Sequence, residues 1–231
     1  MTYAIDPPVL PTLRVAGRSE RFPVHRVFCV GRNYAAHARE MGKDPEREPP
    51  FFFMKPANAV VDACSPAQVP YPPKTQNYHH EVELVVAIGR GGRDIAVADA
   101  LGHVYGYAVG LDMTRRDLQL EARDKGRPWE FGKSFARSAP IGALHRAADI
   151  GHPREAAIKL LVNGQPRQSS DIAKLIWPVA ECIAYLSGYD TLEPGDLIMT
   201  GTPEGVGAVV AGDVMQGSIT GLGEIEVRIA G

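Results

Sequence analysis

Three acidic residues stand where their carboxylates can meet and hold a metal ion. Glu81 and Glu83 are two residues apart in an alternating segment, so on a strand both side chains point to one face. Asp112 ends another apolar run, where a strand gives way to a helix. Carboxylate oxygens suit Mg²⁺ or Mn²⁺, whereas Zn²⁺ suits this stretch less well, because Cys and His lack ligand spacing here. The same spacing is typical of the solvent-facing side of an amphipathic strand, so both interpretations stay open.

Basic and amide side chains follow Asp112 at intervals that favour a polar site. Arg116 and Gln119 lie four and seven residues beyond it, so the three could share one face of a helix. A simple ion pair and a solvated glutamine are the alternative. Lys133 follows a turn that contains Pro128, from which it could reach a substrate carboxylate or remain a solvated loop lysine.

His37 and Glu40 form a second candidate pair. They are three residues apart in a predicted helix, so their side chains can meet. A carboxylate beside an imidazole orients the ring and raises its basicity, as a general base that activates water requires. Isolated His–Glu pairs also occur on protein surfaces without a function. His79 and His80, just before the first carboxylate, are interpreted as metal ligands, as neighbours of the ligands, or as structural hydrogen-bonding residues.

The elements that must position these residues are mostly strands. Apolar or alternating runs predict strands over residues 27–30, 51–54, 80–88, 105–111, 158–162 and 197–199, and edge-like strands over 213–229. The dipeptide Asn163-Gly164 predicts a hairpin turn. Because helices do not alternate regularly with the strands, a doubly wound sheet is disfavoured. The predicted fold class is α+β and strand-rich, with a few packed helices.

The helices are expected to be few, and their ends carry recognisable residues. Asn33 is the predicted cap of a helix over 33–41. Thr114, followed three residues later by an aspartate, resembles a capping box that would start a helix over 114–124. Pro178 and Gly188 bracket a third predicted helix.

Charge and cysteine content indicate which binding partners and which cellular compartment to expect. Twenty-five Lys and Arg against 27 Asp and Glu leave a net charge of −2, which disfavours nucleic-acid binding. The three cysteines are far apart in the sequence, which indicates reduced thiols and a cytoplasmic protein. No stretch approaches the ~20 apolar residues of a membrane span. Residues 1–25 contain several prolines and are predicted to form an N-terminal arm that lies extended over the surface.

Six segments of the chain resemble the fumarylacetoacetate hydrolase family, in the family's order. They are CVGRNYAAH at 29–37, FFMKP at 52–56, HHEVEL at 79–84, GLDMT at 110–114, KSF at 133–135 and TGTPEGVG at 200–207. The match is closest to the short, single-domain branch that contains acylpyruvases and fumarylpyruvate hydrolases. It implies that residues 26–231 form one catalytic domain with the fold of a mixed β-sheet roll. Because members of the family are usually homodimers, it also implies a homodimer.

The resemblance also implies roles for the candidate residues. Glu81, Glu83 and Asp112 would bind Mg²⁺ or Mn²⁺, and His37 with Glu40 would activate water on a lid-like segment. The residues expected to hold the dicarbonyl end of the substrate are Arg116, Gln119, Lys133 and Thr202. The loop at 43–50 has no firm counterpart in the motifs. No spacing rule selects the basic residue for a distal carboxylate, so Arg32 and the basic residues of the arm are all candidates.

The activity that follows from the resemblance is metal-dependent hydrolysis of the carbon–carbon bond of a 3-acylpyruvate. Fumarylpyruvate, a keto acid of aromatic compound catabolism, is the expected substrate and would give fumarate and pyruvate. The enzymatic alternatives are decarboxylation of oxaloacetate and isomerisation–decarboxylation of a homoprotocatechuate-pathway intermediate. The non-enzymatic alternative is a metal-binding scaffold that keeps only the fold.

Overall fold

A computed structural model describes residues 2–40 and 48–231, and the side chains of residues 38–40 lie outside that description. The strands are β1 (Thr12–Arg14), β2 (Arg21–Pro23), β3 (Val27–Gly31), β4 (Phe51–Lys55), β5 (Val60–Asp62), β6 (Ala67–Pro70), β7 (Tyr78–His80), β8 (Val82–Ile88), β9 (Val104–Leu111), β10 (Thr114–Arg115), β11 (Ala139–Ile141), β12 (His145–Arg146), β13 (Ala157–Val162), β14 (Gln165–Asp171), β15 (Leu197–Met199), β16 (Gly207–Val209), β17 (Val214–Ile219) and β18 (Gly223–Ala230). The α-helices are α1 (Ala35–Glu40), α2 (Arg116–Asp124), α3 (Glu130–Lys133), α4 (Ala147–Ile150) and α5 (Val179–Tyr189). The strand-rich α+β prediction is confirmed.

A central sheet organises these strands. Its order is β4-β3-β15-β8-β9-β11-β5, with β12 also paired to β9. The pairs β3–β15 and β5–β11 are parallel, and the other neighbours in this order are antiparallel, so the sheet is mixed. Every residue of β8 is buried, because both faces of the sheet are covered. That double burial explains why the sequence of β8 is almost continuously apolar.

Two apolar cores lie on opposite faces of the central sheet, and β8 supplies both of them. Leu84 and Val86 belong to the larger core, which contains buried residues of α5 and of the five-stranded sheet β14-β13-β17-β18-β6. Val85 and Ala87, at the alternate positions, belong to the smaller core on the other face. A third sheet, β10-β7-β16, lies beside the ends of β8 and β9 that carry the acidic residues.

The N-terminal segment differs from the predicted surface arm. Residues 2–10 are exposed, but residues 12–23 form the antiparallel pair β1–β2. Leu13 and Phe22 on these strands are buried in the smaller core. Their apolar side chains cover a sheet face that would otherwise lie open, which a count of prolines does not reveal. The division of the chain at residue 26 stays a prediction.

Two predicted helix starts are wrong. Helix α1 begins at Ala35, and the side chain of Asn33 donates instead to the backbone oxygens of Trp177 (2.9 Å) and Thr200 (2.8 Å). Thr114 lies in β10 rather than at a helix cap, and its hydroxyl donates to the backbone oxygen of Asp112 at 3.2 Å. In both cases the side chain is engaged outside the helix that the sequence suggested.

Further predictions can be compared with the strands and helices directly. The hairpin at Asn163-Gly164 is confirmed, with φ of 51° and 74° at the two turn residues. Gly188 lies inside α5 rather than after it. The segment 213–229 does not form edge strands, because β17 and β18 both lie inside the five-stranded sheet. The loop predicted at 43–50 falls mostly outside the described residues. Among the described helices, none combines the length and apolar character needed to cross a membrane.

Candidate active site

The three candidate metal-binding carboxylates converge at one end of the β8–β9 pair. Asp112 follows β9 directly, and its backbone N–H donates to the backbone oxygen of Glu81 at 2.8 Å, which extends the antiparallel ladder beyond the strands. Glu81 lies between β7 and β8, so the single predicted strand over 80–88 is interrupted there. Glu83 is the second residue of β8. The three residues are 4%, 2% and 1% exposed, and each offers an oxygen within 4.8 Å of the others. They are therefore a buried cluster and not the wet face of a strand.

Lysine ammonium groups are inserted into this cluster. Lys133, the last residue of α3, places Nζ 2.7 Å from Glu81 Oε2 and 2.6 Å from Asp112 Oδ2. Lys55, at the end of β4, is fully buried, with Nζ 2.8 Å from Asp112 Oδ1. Lys55 also donates to the backbone oxygen of Lys133 (2.5 Å) and to Ser138 Oγ (2.9 Å). Lys133 is thus buried rather than solvated, and the hydrogen bond from Lys55 holds its backbone in place.

Lys55 was not among the predicted site residues, although it stands in one of the motifs. A lysine that closes the apolar run Phe51–Lys55 is a signal that was available, because a charged residue is rarely buried without a partner. The identity of that partner could not be read from the sequence.

Arg116 and Gln119 reach the cluster from α2. Arg116 pairs with Glu81 Oε1, and its Nη1 donates to Gln119 Oε1 at 2.5 Å. The expectation that Asp112 shares the helix face is wrong, since α2 begins at Arg116 and Asp112 lies before it. His79 is a neighbour of the cluster: Arg116 Nε approaches its Nδ1 at 3.4 Å, and its Nε2 lies 2.8 Å from Asn77 Oδ1. Burial, and then the nearby Arg116, lowers the pKa of His79 to about 4, so the ring is neutral.

The charges of the cluster divide the carboxyl groups into two kinds. Burial alone would raise the pKa of Glu81, but Lys133 and Arg116 outweigh it and hold that pKa well below its usual range. The pKa of Glu83 shifts in the opposite direction, because burial and then the charges of Asp112 and Glu81 raise it. Burial would lower the pKa of the Lys133 ammonium, yet Asp112 and Glu81 raise it. The cluster therefore has unmet negative charge around Glu83.

These observations fit a divalent cation. All three donors are carboxylates, which Mg²⁺ and Mn²⁺ prefer to nitrogen or sulfur ligands. Asp112 Oδ1 lies close to Lys55, yet among the described residues it accepts no hydrogen bond of acceptable geometry. A cation bound by Glu81, Glu83 and Asp112 would satisfy that oxygen and neutralise the excess charge at Glu83. The residues present therefore suit the expected metal.

The turn after β15 closes the cluster from a third side. The backbone N–H of Gly201 donates to Glu83 Oε2 at 2.8 Å. Gly201 has φ of 99°, and a Cβ there would come within 2.8 Å of Asn33 Cβ, so this position requires glycine. Thr202 Oγ1 donates to the backbone oxygen of Val82 at 2.9 Å and accepts from Gln168 Nε2 at 2.8 Å. The hydroxyl of Thr202 is thus engaged in holding the turn.

Gln168 is a second residue that sequence reasoning missed. It comes from β14 in the five-stranded sheet and is 1% exposed. Its Oε1 accepts from the backbone N–H of Val82 (3.0 Å) and lies 3.1 Å from His80 Nδ1. His80 is therefore a structural hydrogen-bonding residue, one of its three predicted interpretations. No spacing signal connects residue 168 to the cluster.

One cavity contains nearly all of the predicted site. Its lining includes His37, Glu81, Glu83, Asp112, Arg116, Gln119, Lys133 and Thr202. His37 is buried on α1. The side chain of Glu40 lies outside the described residues, so its pairing with His37 stays a prediction.

This sequence and this structure are similar to those of known proteins. Residues 26–230 match the family described as fumarylacetoacetate (FAA) hydrolase C-terminal. A fumarylpyruvate hydrolase from Ralstonia is 51% identical over 186 residues, which cover 80% of this chain and 95% of that protein. A mitochondrial oxaloacetate tautomerase from Bos taurus is 42% identical over 203 residues, or 88% of this chain and 90% of that protein.

The same similarity extends to solved structures. The crystal structure of fumarylpyruvate hydrolase from Pseudomonas aeruginosa in complex with Mn²⁺ and pyruvate matches with a TM-score of 0.97. The sequence identity is 61%, and the match covers 99% of both chains.

Proposed function

The chain belongs to the fumarylacetoacetate hydrolase family, and from that membership we propose that it hydrolyses 3-acylpyruvates, with fumarylpyruvate as its substrate. The enzyme cleaves a carbon–carbon bond and releases fumarate and pyruvate. Its cofactor is Mg²⁺ or Mn²⁺, held by Glu81, Glu83 and Asp112.

The observation that carries the proposal is the cavity itself. A buried carboxylate cluster suited to a divalent cation, a lysine ammonium and a histidine line one cavity, in a chain 61% identical to a fumarylpyruvate hydrolase. Burying a charged group costs stability. A protein that kept only the fold would therefore not need Lys133 buried between two carboxylates.

The proposed reaction begins with a proton transfer to His37. A divalent cation, when bound, supplies Lewis-acid polarisation of the keto-acid oxygens. His37 removes a proton from water, and Glu40 orients the imidazole ring for that transfer. The resulting hydroxide forms a bond to the acyl carbonyl carbon of the substrate, and the electron pair of the C=O π bond moves onto the carbonyl oxygen. Arg116 and Gln119, fixed to one another at 2.5 Å, hold the dicarbonyl end so that this carbon faces the water.

Carbon–carbon cleavage then places charge next to Lys133. The acyl oxygen re-forms its C=O bond while the bond between the acyl carbonyl carbon and C3 of the pyruvyl group breaks. The electron pair of the broken bond becomes the pyruvate enolate, and the new carboxylic acid releases its proton to solvent as fumarate. Lys133 is an ammonium, because its two carboxylate partners raise its pKa, so it stabilises the enolate oxygen. C3 takes up a proton from the protonated His37, which balances the proton removed from water.

The test is the decay of the enol absorbance of fumarylpyruvate in the ultraviolet. Purified protein with Mn²⁺ or Mg²⁺ should consume the substrate, and the same protein with a chelator should not. A panel of other acylpyruvates fixes the range of acyl groups accepted. Protein that binds Mn²⁺ yet leaves every member of the panel intact would refute the proposal.

Oxaloacetate chemistry is a second candidate, favoured by the relatives named oxaloacetate tautomerase, at 42% identity. Tautomerisation or decarboxylation of oxaloacetate needs no activated water. Substitution of the residues that activate water can therefore distinguish these activities from hydrolysis. His37→Ala and Glu40→Gln should abolish hydrolysis of fumarylpyruvate and largely spare decarboxylation of oxaloacetate. Equal loss of both activities would contradict the assigned roles of His37 and Glu40.

The cellular location, the oligomeric state and the metabolic role of the enzyme are also proposals. The cytoplasmic location follows from the reduced cysteines, and Cys29 and Cys182 are indeed free and buried. The homodimer and the place in aromatic compound catabolism follow from the family. The catalytic domain at 26–231 is supported by a family match that starts at residue 26.

A further inference from the structure

The mouth of the cavity carries a cation that the carboxylate cluster does not use. Arg32 lines both the cavity and an outer recess, which also share Phe53 and Trp129 in their walls. Its guanidinium lies over the ring of Phe51, 5.2 Å from the ring centroid. Lys133, Lys55 and Arg116 are all paired with buried carboxylates, whereas Arg32 makes no ion pair or hydrogen bond with the side chains and backbone groups that the structure describes. Its charge is therefore available to a ligand.

The backbone holds Arg32 in an unusual conformation. Its φ is 56°, in the left-handed region that residues other than glycine rarely adopt. Such residues persist where their surroundings enforce them, and they cluster at ligand sites. The Phe51 ring packs directly on Gly31, since a Cβ at Gly31 would overlap Phe51 Cζ. The contact between Gly31 and Phe51 thus fixes the ring on which the guanidinium rests.

Aromatic rings connect Arg32 to the catalytic lysine. Phe51 meets Trp129 edge to face with centroids 5.3 Å apart, and Trp129 meets Phe53 at 5.8 Å. The Nζ of Lys133 lies 5.1 Å from the centroid of Phe53. Trp129 and Phe53 both line the cavity, so aromatic rings line the wall between the two cations. A conjugated acyl chain can pack against those rings, and a carboxylate at its far end would face Arg32.

A second guanidinium lies on the same route. Arg123 is seven residues after Arg116 on α2, which places it on the same helix face, and it lines the cavity. It forms an ion pair with the adjacent Asp124, and the side chains of Arg123 and Asp124 are 35% and 64% exposed to solvent. Solvent and this neighbour weaken its attraction for a ligand, so Arg123 ranks second to Arg32.

We propose that Arg32 binds a carboxylate at the far end of the acyl chain, with Arg123 as a weaker second contact. The enzyme therefore selects acylpyruvates whose acyl group ends in a carboxylate. This inference rests on the proposed function and names the residues that set its substrate range. Guanidinium groups suit the role because they pair with carboxylates through two parallel hydrogen bonds.

The test compares two substrates of the Mn²⁺-loaded enzyme: fumarylpyruvate, and acetylpyruvate, which lacks the distal carboxylate. Arg32→Asn is the informative variant, because asparagine tolerates the left-handed conformation and should keep the fold. We expect kcat/KM for fumarylpyruvate to fall about 10- to 100-fold, mainly through KM, and for acetylpyruvate to change less than about threefold. Arg32→Lys should recover part of the loss, and Arg123→Ala should cost fumarylpyruvate about 3- to 10-fold.

Arg93→Ala is the matched control for Arg123→Ala. Arg93 also pairs with the following aspartate, at 3.7 Å from Asp94, but it does not line the cavity, so both substrates should be unaffected. Equal losses for the two substrates in Arg32→Asn, or no loss for either, would overturn the inference.

A binding measurement separates this inference from the proposed function. Calorimetric titration compares fumarate with crotonate, in which a methyl group replaces the second carboxylate. Fumarate should bind about 10-fold or more weakly to Arg32→Asn than to the unmodified protein, and crotonate should bind both equally. If the protein hydrolyses no acylpyruvate, the proposed function fails, yet this titration still decides the role of Arg32. Equal binding of fumarate to both proteins would overturn the inference.

Discussion

The floor and the mouth of the cavity use the same kinds of charged group in opposite ways. On the floor, Glu81, Glu83 and Asp112 are at most 4% exposed, and Lys133 is held by two of them. At the mouth, Arg32 rests on an aromatic ring and is half-buried. On the floor, negative charge exceeds the positive charge paired with it, whereas at the mouth Arg32 has no ionic partner among the described side chains.

This difference indicates how much the floor and the mouth should each contribute to catalysis and to substrate affinity. Charges interact strongly where water is excluded, because the effective dielectric constant is low, and solvent weakens them at the surface. Substitutions on the floor should therefore change catalysis by orders of magnitude. Substitutions at the mouth should change substrate affinity by smaller factors and leave kcat largely intact.

The largest effect is expected from Asp112→Asn. The change removes a proposed metal ligand and leaves Lys133 and Lys55 without their shared carboxylate. We expect kcat/KM to fall by at least about 10³-fold and Mn²⁺ binding to be lost, as measured by steady-state kinetics and calorimetric titration. Asp149→Asn, on the exposed surface of α4 and away from the cavity lining, is the control and should leave both unchanged. Retention of Mn²⁺ binding by Asp112→Asn would exclude Asp112 as a ligand.

Lys133→Met should lower the rate while sparing the metal. Without the ammonium, the enolate loses its proposed stabilising partner, and kcat should fall by about 10²- to 10³-fold. Mn²⁺ should bind at least as tightly as before, because a competing cation between Glu81 and Asp112 is gone. The two measurements together separate a catalytic lysine from one that only holds the cluster. Loss of Mn²⁺ binding along with activity would favour the purely structural role.

Glu83→Gln should raise the stability of the metal-free protein. Burial and then Asp112 and Glu81 raise the pKa of Glu83 in the folded state, so its contribution to stability is lost as the pH rises through that pKa. Glutamine carries no such charge. At neutral pH with a chelator, the variant should melt about 2–8 °C higher than the parent protein. Below the unfolded pKa of about 4.3, the difference should vanish.

Addition of Mn²⁺ supplies the control for Glu83→Gln. The metal stabilises only a protein that binds it, so the parent protein should gain melting temperature and overtake the variant. A variant that melts lower than the parent protein in the presence of the chelator would contradict the unmet negative charge assigned to the floor.

The smallest effect is expected at the mouth, from Gly31→Ala. The added Cβ would displace the Phe51 ring and with it the support of Arg32. KM for fumarylpyruvate should rise by about 3- to 10-fold, with kcat within about twofold. Gly188→Ala in α5 is the matched control, because nothing lies within 4 Å of the position that a Cβ would take there, and its kinetics should be unchanged. A fall in kcat as large as that of Lys133→Met would erase the distinction between floor and mouth.

Much of the site could be predicted from short motifs. Glu81, Glu83, Asp112, Lys133 and Thr202 stand within them, and the structure brings all of them to one cavity. The way in which they converge was predicted less accurately. The strand breaks at Glu81, and Asp112 precedes α2 rather than belonging to it, because the ladder bond between their backbones sets the geometry.

The errors in the fold share one physical cause. Asn33 and Thr114 have the residue types of helix caps, yet each forms its hydrogen bonds elsewhere. The alternation over 213–229 suggested edge strands, but strands on both sides pair with β17 and β18. Local propensities amount to fractions of a kcal/mol to about 1 kcal/mol, and tertiary packing readily outweighs them.

The sequence by itself determined the family, the class of reaction and the identity of the carboxylates, because chemistry constrains residue types within short motifs. Only the tertiary structure decided which charges are paired and which are not. It joined Lys55 and Gln168 to the floor from distant strands, and it left Arg32 without an ionic partner among the described residues. The physical reason is that electrostatic energy depends on distance and burial in space, which separation along the chain does not encode.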